Sequence, residues 1–121
     1  YQSFPARFVV HCHPPLANAY FAVHDSLKIL TMETAHYLGT VPLVRQGTVT
    51  VTRPVMLIQA FKRSDLVAVK NHGVFGIGDD PAAIVDRIEI LEEAVKVAAV
   101  ARLFCKKHKD FLDLQLANQL A

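Results

Sequence analysis

Cysteine is scarce in this chain: only Cys12 and Cys105 occur among 121 residues. Two thiols cannot staple a small domain, so a disulfide-dense scaffold is excluded, and the usage fits a reducing, cytoplasmic setting. Surplus charge is scarce as well. Thirteen Lys and Arg against eleven Asp and Glu leave a formal charge of +2. That is too little to make nucleic acid or an anionic membrane the expected partner. No apolar run is long enough to cross a bilayer. No repeat, linker or low-complexity segment breaks the chain. A dinucleotide fingerprint is missing too, because Gly73, Gly76 and Gly78 have the wrong spacing for one.

What is present is apolar. Hydrophobic residues make up 52% and charged residues 20%, which excludes disorder. Mean hydropathy is positive. A small domain leaves much of its surface exposed, so this composition suggests burial against another surface. The length suits one domain. The chain starts at Tyr1 and enters a strand pattern almost at once, so we expect 1–121 to be the C-terminal portion of a single, longer domain.

Strand and helix signals alternate, giving an α/β or α+β class. Residues 7–11 read as a buried strand, stopped by Pro14 and Pro15, with a helix over 16–24. Thr31 can cap a short helix that Gly39 ends. Residues 41–44 read as an extended piece, with Pro42 placing it at an edge or strand end. Residues 48–52 alternate as an exposed strand or extended loop. A helix over 53–63 shows an apolar face of Val55, Leu57, Ile58 and Phe61. Residues 66–69 read as a second buried strand, joined as a hairpin to 74–78 with His72 at the turn. Asp79 or Asp80 then caps a long helix, Pro81 fits its first turn, and the pattern runs to about His108. A last amphipathic helix is expected over 111–120.

Three of the six histidines stand where chemistry is done. His11 and His13 flank one residue at a strand end. In a continuing strand they would face the same way, with Cys12 facing the other. His72 stands at the tip of a second strand. Strand ends carry function on a rigid base. Three imidazoles from two strand ends would make a three-ligand site with an open position, the pattern of catalytic zinc. Loop histidines and an ordinary Asn-His-Gly turn would look the same in sequence. His24, His36 and His108 read as structural or surface residues, and Cys12 as a small buried one.

The stretch Val9-Val10-His11-Cys12-His13-Pro14-Pro15-Leu16-Ala17 resembles the metal-binding signature of the class II aldolase/adducin family. Val67-Ala68-Val69-Lys70-Asn71-His72-Gly73 is similar to that family's strand ending in Asn-His-Gly. The helix over 82–101, with Ile90-Leu91-Glu92-Glu93-Ala94, and the segment Leu38-Gly39-Thr40-Val41-Pro42 fit as well. The resemblance implies a three-layer αβα fold with a largely antiparallel central sheet. It implies His11, His13 and His72 as ligands of Zn²⁺ or another divalent cation. It also implies a class II aldolase that cleaves a sugar phosphate through a metal-stabilised enediolate, and a homo-oligomer, commonly a tetramer. A pentulose-phosphate epimerase or dehydratase of the same family is the alternative, as is a non-catalytic adducin-head-like interaction module. The family's acid/base glutamate and phosphate loops lie before the HxH stretch, so no catalytic residue is assigned here and the chain alone is expected to be inactive. The aldolases also use a tyrosine after the HxH helix. That position falls near Met32 here, with Tyr37 the nearest tyrosine and Glu33 the nearby acid.

Overall fold

The computed structural model describes residues 5–47 and 54–114. Nine elements follow in order: β1 (Phe8–Cys12), α1 (Pro15–Val23), α2 (Met32–Tyr37), β2 (Leu43–Val44), α3 (Pro54–Phe61), β3 (Leu66–Val69), β4 (Gly73–Gly78), α4 (Pro81–Phe104) and α5 (His108–Asp113). The strands form one sheet in the order β1-β4-β3-β2. β1 pairs antiparallel with β4, β4 antiparallel with β3, and β3 parallel with β2. The central sheet is therefore largely antiparallel.

Strand alternation sorts side chains to two faces. Val10, Cys12, Ala68 and Val74 face one side, where Phe21 of α1 and Ile88, Leu91 and Val95 of α4 pack on them. Val9, Val67, Val69 and Ile77 face the other side, against Ala60 and Phe61 of α3. Helices thus cover both faces, which gives three layers. β3 is buried along its whole length, because it lies inside the sheet and under both helix layers. That explains its unbroken Leu-Val-Ala-Val run. Each face of the sheet thus carries its own cluster of buried residues, one under α1 and α4 and one under α3.

Local signals explain the element ends. Asp80, not Asp79, caps α4, its Oδ1 accepting from the Ala82 N–H at 3.0 Å, and Pro81 takes the first turn. Thr31 Oγ1 accepts from the Thr34 N–H to start α2. Gly39 stops that helix in the left-handed region, φ +57°, and its N–H donates to the Thr34 carbonyl.

Four expectations need correction. β1 is an edge strand among the described residues, with Phe8 40% exposed; only β4 flanks it, so it is not a buried strand. The face that α3 buries is Ala60 and Phe61 with Leu57, whereas Val55 is 60% exposed. α4 stops at Phe104 rather than near His108. The chain leaves the helix at Cys105 and doubles back so that Phe111, 1% exposed, enters the core; a straight helix would have carried that ring about 10 Å further on. The last helix is accordingly displaced to His108–Asp113. The expected extended segment 48–52 lies outside the described residues, as does 115–120 of the last helix.

Candidate metal centre

The antiparallel pairing of β1 and β4 sets Cys12 opposite Val74. The end of β1 therefore lies beside the start of β4, and the β3–β4 turn arrives next to the HxH stretch. His11 points away from the Cys12 face and stacks on its cross-strand partner Phe75, ring centroids 3.9 Å apart. Cys12 packs into the opposite core face, as the alternation requires. Burial, then the Glu92 carboxylate, push its thiol up, which keeps it protonated and unreactive. Asn71 holds the hairpin turn at φ 60°, a left-handed conformation that asparagine tolerates.

The three predicted residues meet. Their ligand-capable nitrogens all lie within 4.8 Å of one another. His11 Nε2 is central, 3.0 Å from His13 Nε2 and 3.1 Å from His72 Nε2. Two nitrogens bound at 2.0–2.1 Å to one tetrahedral zinc stand about 3.3–3.4 Å apart, so the donor set suits such an ion with only small ring movements. His11 and His13 are exposed, which leaves a solvent side for a further ligand. Burial first, then the neighbouring His11 and His13, pull His72 below the usual histidine range. This favours the neutral ring, the form that can coordinate.

Side chains and carbonyls behind the imidazoles aim them. His11 Nδ1–H donates to the Val74 carbonyl at 3.0 Å, which leaves a lone pair on Nε2. Asn18 of α1 donates through Nδ2 to the His72 carbonyl at 3.0 Å and pins the turn. Gln46 Nε2 lies 2.8 Å from His72 Nδ1 and donates to it. From α4, Glu92 reaches the start of α1: Oε1 accepts from the Ala17 N–H at 2.6 Å and Oε2 from the Leu16 N–H at 3.2 Å. Pro14, at the N-cap, makes no side-chain cap bond, so a carboxylate from a remote helix satisfies those open donors. Glu92→Ala is expected to cost about 1–2 kcal/mol in urea unfolding, and Glu92→Gln less. Sequence reasoning missed Asn18, Gln46 and Glu92 as partners, since each acts across a sequence gap that no local spacing reveals.

The sequence pattern described as the class II aldolase and adducin N-terminal domain matches residues 1–99. This chain belongs to that family. Among solved structures it is similar to L-fuculose-1-phosphate aldolase from Thermus thermophilus, at 28% identity and TM-score 0.76, over 86% of this chain and 57% of that one. A second L-fuculose 1-phosphate aldolase aligns at 18% identity and TM-score 0.74, over 92% and 55%. A sugar-phosphate aldolase from Thermotoga maritima aligns at 22% and 0.67, over 82% and 46%; these last two bear on the fold alone. The chain spans about half the length of the aldolases it matches. No functionally curated protein matches it by sequence.

Other residues singled out on the class II aldolase pattern lie elsewhere. Tyr37 and Glu33 line an open cleft of about 630 Å³ between α2 and α4, with Asp86 and Glu93. Tyr37 also borders Asp65 and Leu66 at the start of β3, whereas His72 follows that strand's other end. Within one chain, neither residue joins the imidazoles. His24 packs against the Tyr20 ring at 4.5 Å and His36 against Tyr37 at 4.7 Å, in line with structural roles. Among the described residues, no helix is long and apolar enough to cross a membrane.

Proposed function

We propose that this chain is the metal-binding part of a class II aldolase-type lyase that acts on a sugar phosphate, with His11, His13 and His72 as ligands of a divalent ion. One observation carries the reading: three imidazole nitrogens from two β segments converge on a central 3.0–3.1 Å cluster. Neutral imidazole suits zinc and its neighbours. Holding three such rings tip to tip costs solvation and rotamer freedom. An interaction module has no need to bear that cost, so the cluster favours an enzyme over a scaffold. When bound, the ion would supply a Lewis acid for the oxygens of a hydroxy-ketose during C–C cleavage.

The chain's own residues do the holding. The Val74 carbonyl keeps Nε2 of His11 unprotonated, Asn18 fixes the turn under His72, and the exposed side of His11 and His13 admits the substrate. We propose further that 1–121 belongs to one domain and that the working protein is a homo-oligomer. Val23, Leu103 and Phe104, the last 84% exposed, are large apolar groups that association would cover.

Metal analysis and a lyase assay across ketose phosphates test the reading. The expected result is about one divalent ion per chain by the three-ligand stoichiometry, with aldehyde release abolished by a chelator and restored by Zn²⁺. The 121-residue chain by itself is expected to bind the ion and turn over little. Failure to take up zinc at micromolar concentration sinks the proposal. Epimerised or dehydrated product in place of an aldehyde would keep the site and change the reaction.

A further inference from the structure

Gln46 follows β2 in a segment that nothing in the sequence marks. Its amide nitrogen Nε2 stands 2.8 Å from Nδ1 of His72. The other ring nitrogen, Nε2, faces His11 at 3.1 Å. A neutral imidazole carries one proton, and the bond made at one nitrogen decides the state of the other. As placed, the amide N–H donates to Nδ1 and leaves the ring proton on Nε2, whereas an ion held at Nε2 needs the opposite arrangement. An amide oxygen there accepts Nδ1–H and frees the Nε2 lone pair. A half-turn about the last side-chain bond exchanges the two. His11 has no such choice, because its Nδ1 faces a backbone carbonyl, which only accepts.

The arm that carries Gln46 is tied down beside His72. Asp25 Oδ1 accepts from Arg45 Nη2 at 2.7 Å and from Lys70 Nζ at 3.0 Å. The Lys70 side chain is only 15% exposed, and its backbone N–H donates to the Val44 carbonyl at 2.8 Å. One carboxylate thus links the residue before Gln46 to the residue two before His72. Both ends of the Gln46–His72 contact are held by bonds outside it. Lys70 and Arg45 in turn hold the Asp25 carboxyl below its ordinary range, so the bridge stays charged.

We propose that Gln46 is a positioning residue for His72: its amide selects which ring nitrogen carries the proton, and thereby how strongly His72 joins His11 and His13 around one ion. This rests on the metal reading above.

Two variants test it at mildly alkaline pH. Gln46→Met keeps the bulk and removes the bond; Gln46→Glu can only accept. Long-range ¹⁵N–¹H spectra of the imidazoles report the tautomer, and competition with a chromophoric chelator reports Zn²⁺ affinity. Gln46→Met is expected to weaken zinc binding about tenfold, as loss of an outer partner does. Gln46→Glu is expected to place the His72 proton on Nδ1 and to bind zinc at least as tightly as the parent. Asp25→Asn, which loosens the arm, is expected to weaken binding by a smaller factor. Circular dichroism confirms that each variant is folded. An unchanged tautomer in Gln46→Glu, with affinity within about twofold in Gln46→Met, overturns the proposal. A parent protein that takes up no zinc would sink the metal reading instead; the tautomer comparison in metal-free protein still decides the role of Gln46.

Discussion

Replacement of His72 by alanine is expected to lower zinc affinity by two to three orders of magnitude while leaving the chain folded. Structural zinc sites of four ligands bind with about 10–16 kcal/mol, so each ligand is worth roughly 2.5–4 kcal/mol. His72 is the ligand brought by the hairpin; His11 and His13 come together from one strand end and would remain. Two imidazoles alone make a weak, exchangeable site. The fold has little to lose, because His72 sits at a turn held by its own backbone: its carbonyl is bound by Asn18 and its N–H donates to the Val69 carbonyl at 3.1 Å. A stability change within about 1 kcal/mol is expected. Isothermal titration with zinc checks the first part and urea unfolding the second. His36→Ala, on α2 and outside the cluster, serves as the control and should bind zinc as the parent does. Affinity of His72→Ala within about tenfold of the parent would remove His72 from the ligand set.

Gly73→Ala is expected to damage both stability and metal binding, at a cost of about 3 kcal/mol or more for an overpacked site that cannot relax. A Cβ at residue 73 would press on the backbone carbonyl of Cys12, stand 2.6 Å from the His13 ring and 3.2 Å from the His11 ring. The carbonyl belongs to the neighbouring strand and cannot withdraw without opening the β1–β4 ladder. The rings could turn aside, but then they leave the cluster. The absence of a side chain at residue 73 is therefore what lets two strand ends and three imidazoles share one place. Two other glycines separate this effect from backbone strain. Gly39 is left-handed with nothing near its missing Cβ, so Gly39→Ala is expected to cost only about 1 kcal/mol. Gly47 also has nothing near it, and Gly47→Ala should stay within about 0.5 kcal/mol. Urea midpoints and zinc titrations of the three variants give the ranking. A Gly73→Ala protein as stable as Gly47→Ala would refute the packing argument.

Much of the fold is legible in local pattern. The Leu-Val-Ala-Val run of 66–69 announces a strand covered on both sides, and Asp80-Pro81 announces a helix start. The three histidines stand out because each follows or ends a strand, where a side chain can be aimed without disturbing the core. Other features are not legible. β1 and β3 look alike in composition, yet one lies at the edge and one inside, since strand order depends on which faces pack together. Nothing near Phe104 signals the end of α4; past it the chain turns so that Phe111 is buried in the core. Glu92 caps a helix that starts some 75 residues away in sequence, a contact that exists only once α1 and α4 share a core face.

Side-chain type and short-range spacing were enough to nominate the imidazoles and to outline the strands and helices that bear them, because those properties depend on neighbours along the chain. Whether the rings actually meet, what stands behind each of them, and how close the two strands come at Gly73 were decided by register and packing. Those are set by contacts between residues far apart in sequence, which arise only when both faces of the sheet are buried together.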